Sequence, residues 1–119
     1  MGVVECRERY TVGEEHLAEH LASRGVRVLS TPCLILFMEK TARTCLDRVE
    51  GGPSVGVRVD VRHRRPVPLG GVVEVHVKGM PTGDGYYLFS VKAYHRSELV
   101  AEGIHLRKVV GEGFAGSSS

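Results

Sequence analysis

The period of the apolar positions changes once along the chain, from near 3.6 to two, and the change separates a helical stretch from a run of strands. Ser30 and Thr31 are N-cap residue types, Pro32 sits where a first helical turn best accepts proline, and Leu34 to Met38 are apolar. A helix is therefore predicted from there to about Val49, halted by Gly51, Gly52 and Pro53. Upstream, residues 3–11 offer a short strand, and GEEHLAEHLASRG gives a brief helical pattern through Leu17, Ala18, Leu21 and Ala22, closed by Gly25. Downstream, SVGVRVDVRH puts Val55, Val57, Val59 and Val61 on one face and Gly56, Arg58, Asp60 and Arg62 on the other. GVVEVHVKG repeats the alternation with Val73, Val75 and Val77 against Glu74, His76 and Lys78. PTGDG then supplies a turn before YYLFSVKAYH, and LVAEGIHLRKVV follows a short break at Arg96 to Glu98.

Four strands joined by short turns predict an antiparallel meander, since parallel pairing needs long crossovers that the chain lacks. With the N-terminal strand the sheet has five, and one long helix before it gives an α+β layer in which the sheet wraps the helix. A chain of 119 residues suits a single domain, placed at residues 1–110, with the small, polar segment 111–119 expected to be a flexible tail. The net charge of +2, with both signs mixed, argues against a dedicated nucleic-acid binder. No run approaches the roughly 20 apolar residues of a membrane span, and MGVVECRERY lacks the regions of a secretory signal, so a cytoplasmic location is the expectation. The three cysteines, Cys6, Cys33 and Cys45, form no CxxC pair and are expected as reduced thiols.

Glu39 is the residue that the pattern does not explain. It sits on or beside the apolar stripe of the helix, where it either pairs with Arg43 at i,i+4 on a solvated edge or does chemistry. His63 continues the alternation of the valine face, which aims a titratable ring toward the helix from the end of a strand. A carboxylate and an imidazole so placed form a candidate acid and base. Thr31 has a capping role open to it, and the helix start also polarises a carbonyl oxygen. Gly56 falls opposite the valine face, where a strand glycine marks a bulge or the close approach of a ligand. Cys33, near a helix start, is a weaker nucleophile candidate. His16 and His20 have i,i+4 spacing, but HLAEH lacks the glutamate beside the first histidine of a zinc hydrolase.

TPCLILFME, the GVRVDVRH strand, the glycine after RRPVPL and the ending AEGIHLRKVV together resemble the hotdog-fold thioesterases, in particular the fluoroacetyl-CoA thioesterase-like family. The family pattern has a threonine with a glutamate eight residues later and a glycine seven residues before a histidine; Thr31 with Glu39, and Gly56 with His63, match both spacings. The resemblance implies a hotdog fold, a catalytic set of Thr31, Glu39 and His63 with Gly56 at the site, and hydrolysis of a small or medium acyl-CoA thioester. Coenzyme A enters only as part of the substrate, with no further cofactor. Glu39 would activate water or attack the carbonyl to form a transient anhydride, His63 would move protons, and Thr31 would orient. A non-catalytic acyl-CoA or CoA-binding module is the alternative, and a hotdog hydratase a third. Arg62, Arg64, Arg65, Lys78, Arg107 and Lys108 form a basic set that meets the CoA phosphates at the mouth or serves as a solvated rim, with Arg64 and Arg65 the substrate-binding candidates. Eight helical residues rise about 12 Å, too far for Thr31 and Glu39 of one helix to touch, so the site is expected to be shared across a homodimer.

Overall fold

The computed structural model describes residues 2–111, along which β1 (Val4–Thr11), a 3-10 turn (Glu14–His16), α1 (Glu19–Ala22), α2 (Thr31–Glu50), β2 (Ser54–His63), β3 (Val72–Gly83), β4 (Tyr86–His95) and β5 (Glu98–Val109) follow in order. The tail expected to be flexible lies, from residue 112 onward, outside the described residues.

α2 starts where the capping chemistry places it, with one change of role. Ser30 alone is the N-cap, its hydroxyl accepting from the Cys33 N–H at 3.2 Å, and Thr31 is the first residue of the helix. The cap therefore leaves the Thr31 hydroxyl free. At the other end Gly51 adopts a left-handed φ of 66°, which a side chain would strain, and donates its N–H to the Asp47 carbonyl. Leu34, Phe37, Met38, Thr41, Ala42, Cys45 and Leu46 make the buried stripe of the helix. They pack into one core with Val73, Val75 and Val77 of β3 and Phe89, Val91 and Ala93 of β4. Each Leu, Val, Phe or Met among them, once buried, stabilises the fold by about 1.5–3 kcal/mol.

The sheet order is β1-β3-β4-β5-β2, with every neighbouring pair antiparallel. The expected meander holds only from β3 to β5; β2 crosses to the far edge and pairs with β5. The reason lies in the RRPVPLGG link between β2 and β3, which carries two prolines and bonds to the segment before α2 instead of turning tightly. Its Val67 carbonyl accepts from Leu29 at 2.8 Å, and its Leu69 N–H donates to Arg27 at 3.1 Å. Tight turns do join β3 to β4 at Asp84 and Gly85, and β4 to β5 at Arg96 and Ser97. All four residues have positive φ, as two-residue hairpins demand.

The cysteine expectation is corrected. Cys6 of β1 and Cys45 of α2 form a disulfide, with Cα atoms 5.8 Å apart, and only Cys33 is free. A separation of 39 residues hid the pair, because nothing in the sequence says which face of the helix β1 crosses. No helix among the described residues is long and apolar enough to cross a membrane.

Candidate active site

The geometry of β2 decides which side chains meet the helix. Its pairing runs from Ser54 opposite Val109 to Gly56 opposite Arg107, then resumes with Arg58 opposite Leu106 and Val59 opposite His105. Val57 is thus an extra residue, a β-bulge, and the alternation changes phase across it. Directly opposed residues share a face, so Ser54 and Gly56 on one side of the bulge, and Val59, Val61 and His63 on the other, all face inward. The expectation that Gly56 lies opposite the valine face is therefore overturned. Val55 points outward with Lys108, and Gly56 and His63 share a face despite their odd separation.

His63 and Thr31 meet directly. The Thr31 hydroxyl and His63 Nδ1 are 2.8 Å apart, joining the start of α2 to the end of β2. His63 Nε2 is buried and has no hydrogen-bond partner among the described residues. Burial holds the imidazole below its ordinary value of 6.5, opposed in part by the backbone of Arg65, so the ring is neutral at neutral pH. An unpartnered buried nitrogen is costly and marks a place where a ligand or a reacting group belongs. Of the first amides of α2, Cys33 and Leu34 bond to Ser30 and Pro32 has no N–H. The Thr31 amide remains for a carbonyl oxygen.

A groove of about 730 Å³ opens beside this pair, lined by Leu17, Leu21, Val28, Leu29, Pro32 and Pro66 on its apolar walls. His20, Arg64 and Arg65 stand at its polar edge. Arg64 is bonded to Glu102 at 2.8 Å, and Arg65 lies 3.7 Å from Glu98, so both guanidinium groups already hold a carboxylate. His16, the other histidine of the metal reading, accepts from the Gly13 N–H through Nδ1 and packs edge-on against Phe37.

Glu39 sits elsewhere, just over two turns along α2 from Thr31, and half-buried. A Cβ placed on Gly56 would lie 3.0 Å from Glu39 Oε2, 3.0 Å from His105 Cε1 and 3.4 Å from an Arg107 terminal nitrogen. These four residues therefore surround one small space. Arg107 is only 5% exposed, which corrects its assignment to a solvated or phosphate-binding rim. Its Nε donates to Ser54 Oγ at 2.8 Å and one terminal nitrogen to the Ser54 carbonyl at 2.9 Å; the other lies 3.1 Å from His105 Nε2. His105 Nδ1 is 3.1 Å from the Arg58 carbonyl. A carbonyl only accepts, so Nδ1 carries the proton and Nε2 accepts from Arg107. Burial lowers the His105 value, which agrees with that neutral ring.

His105 is a neighbour of Glu39 that the sequence reading missed, and Arg107 is one that it placed at the rim. In IHLRKV the apolar Ile104 and Leu106 suggest the inward face, yet the register with β2 turns His105 and Arg107 inward. Two half-sites result: Thr31 with His63 at the groove, and Glu39 with Gly56, His105 and Arg107. Along β2, Gly56 and His63 are about 20 Å apart, so one chain does not unite them.

The family model described as fluoroacetyl-CoA-specific thioesterase matches residues 12–112. Among solved structures, the chain is similar to a hot-dog-like protein from Thermanaerovibrio acidaminovorans, with 25% identity, a TM-score of 0.85 and coverage of 98% of this chain and 88% of that one. It is also similar to a point mutant of the fluoroacetyl-CoA-specific thioesterase FlK in complex with fluoroacetate and CoA, with 20% identity, a TM-score of 0.79 and coverage of 89% and 91%. A Thermus thermophilus hypothetical protein of the thioesterase superfamily gives 20% identity, a TM-score of 0.81 and coverage of 96% and 86%. Among curated proteins no sequence match was found.

Proposed function

The chain belongs to the fluoroacetyl-CoA-specific thioesterase family, and we propose that it hydrolyses a small or medium acyl-CoA thioester at a site shared by two copies of itself. It is a thioester hydrolase of hotdog fold; the shared site and the roles below are our reading. The observation that carries it is the Thr31–His63 bond, with the second ring nitrogen of His63 buried and unpartnered beside an open groove.

Assembly follows from the exposed edge of β2. Val57 and Val59 are 50% and 37% exposed there, and Leu36 of α2 is 56% exposed. An antiparallel pairing of β2 with its copy about a two-fold at Asp60, with Val57 as the extra residue, sets Gly56 of one chain opposite His63 of the partner subunit. Side-chain faces agree in that register only because of the bulge. It also closes an open sheet edge. Each site then takes Thr31 and His63 from one chain and Glu39, Gly56 and Arg107 from the other.

In such a site the thioester carbonyl accepts from the Thr31 hydroxyl or amide as charge develops on its oxygen. Glu39 either takes a proton from attacking water or attacks the carbonyl carbon itself, giving a mixed anhydride that water then cleaves. The C–S bond breaks, and neutral His63 takes up at Nε2 a proton released by the water and relays it to the leaving thiolate. Arg64 and Arg65 exchange their carboxylate partners for CoA phosphates at the groove edge. The solved FlK complex with fluoroacetate and CoA supports a CoA thioester as substrate, and such a substrate implies a cytoplasmic location.

The test uses two inactive variants. Glu39→Gln and His63→Ala are each expected to lower free-thiol release from acyl-CoA by about a hundredfold or more while staying folded. Mixed and re-equilibrated, they form heterodimers in which one of two sites has both intact residues, so activity returns to about a quarter of wild type. No recovery would place the whole site in one chain. No thiol release by the unaltered protein from any acyl-CoA, with binding retained, would leave a binding module.

A further inference from the structure

We propose that Ser54 and His105 are positioning residues that hold the Arg107 guanidinium back from Glu39, keeping that carboxylate unpaired and able to act as base or nucleophile. The inference rests on the role given to Glu39 above. A buried arginine near a buried carboxylate ordinarily closes to a bidentate ion pair. Here Arg107 and Glu39 both reach within 3.4 Å of the same point above Gly56, yet the guanidinium bonds instead to the Ser54 hydroxyl, the Ser54 carbonyl and His105 Nε2. Three of its five donors are thereby directed away from the carboxylate. His105 can accept only because the Arg58 carbonyl, just past the bulge, fixes its proton on Nδ1. What remains is one N–H on each terminal nitrogen, and one of these nitrogens lies 3.4 Å from the point above Gly56. The bulge, His105, Ser54 and Arg107 thus form one device that holds a cation apart from an anion across the space above Gly56.

The titratable and charged groups facing this space are Glu39 of α2 with His105 and Arg107 of β5, while Arg43 and Asp47 of α2 also act on the Arg107 guanidinium; in the shared site His63 of the partner subunit joins them. Releasing Arg107 therefore changes one neighbour of the carboxylate in a defined direction.

The experiment measures pH–kcat profiles of the full chain as Ser54→Ala, Ser54→Thr and His105→Leu, with thermal melts to confirm folding. In Ser54→Ala and His105→Leu, Arg107 closes on Glu39. The acidic limb moves down by about one pH unit and plateau kcat falls about tenfold, because a paired carboxylate is a weaker base. Ser54→Thr, which keeps both acceptors, restores the limb and the rate. A lower melting temperature with an unmoved acidic limb in the folded Ser54→Ala and His105→Leu proteins would overturn the proposal, leaving a packing role only. Should His105→Leu not fold, Ser54→Ala against Ser54→Thr carries the decision. Glu39→Gln in parallel separates the two ideas: full activity there removes Glu39 from the mechanism, whereas an inactive Glu39→Gln with an unmoved limb in Ser54→Ala rejects only the positioning role.

Discussion

At the scale of single residues, Gly56 carries a requirement that has nothing to do with backbone freedom. Its surroundings would place an added Cβ against Glu39, His105 and Arg107, in the space between the carboxylate and the guanidinium. Gly56→Ala is therefore expected to fold normally and to lose at least about tenfold in kcat/KM, measured by thiol release, since a misplacement of about 1 Å costs this much or more. Wild-type turnover in that variant would remove the space from the site. His63 makes a second demand at this scale. Its value is held below 6.5 by burial, so the neutral ring persists as pH falls through 6.5, and an activity limb due to His63 should lie on the acidic side of that value. As candidates, Thr31, Glu39, Gly56 and His63 were legible, and the structure brings them together in two pairs, Thr31 with His63 and Glu39 with Gly56. His105 and the burial of Arg107 were not, because beside the apolar Ile104 and Leu106 both read as outward-facing until a partner strand fixes the register.

At the scale of elements, the bulge in β2 governs the site. Simple alternation assigns Gly56 and His63 to opposite faces, and only the extra residue Val57 puts them on one. Deleting Val57 should leave a strand that still pairs with β5 but points one half of its side chains the wrong way. The expected protein has near-native circular dichroism and less than about one hundredth of wild-type activity. An active deletion variant would show that the phase change is dispensable. The helix start illustrates the opposite case. Ser30, Thr31 and Pro32 announced it in sequence, and the structure only divided the labour, with Ser30 capping and Thr31 free for His63. Caps are local chemistry between residues a few positions apart, which a sequence states openly. A bulge depends on the strand beside it, which a sequence does not state.

At the scale of the molecule, the two inward histidines link stability to pH. Both are held below 6.5, chiefly by burial, so as pH falls beneath 6.5 the unfolded chain takes up protons that the folded chain does not. Stability therefore rises with pH up to about that point and is lost on acidification through the window beneath it. Glu74, whose carboxyl is lowered by His76 and Arg9, contributes only below its ordinary 4.5 and does not confuse the window from 5 to 7. Urea midpoints should drop between pH 7 and pH 5, with a shallower drop in His63→Gln; equal slopes would contradict the assignment. The Cys6–Cys45 bond adds a second global term. For a loop of 39 residues the chain-entropy account gives about 4 kcal/mol, so reduction should lower the melting temperature markedly. In a reducing compartment the same pair stands as two thiols and that contribution is absent.

The sequence by itself determined the parts: a capped helix of defined start and stop, strands of period two, a carboxylate on a helix and an imidazole at a strand end. These follow from interactions between residues near in the chain, where hydrophobic period and capping chemistry act directly. Only the tertiary structure decided the order of the strands, the phase of β2, the burial of Arg107 and the joining of Cys6 to Cys45. Each of these is a contact between segments far apart in sequence, selected by how faces pack and registers lock.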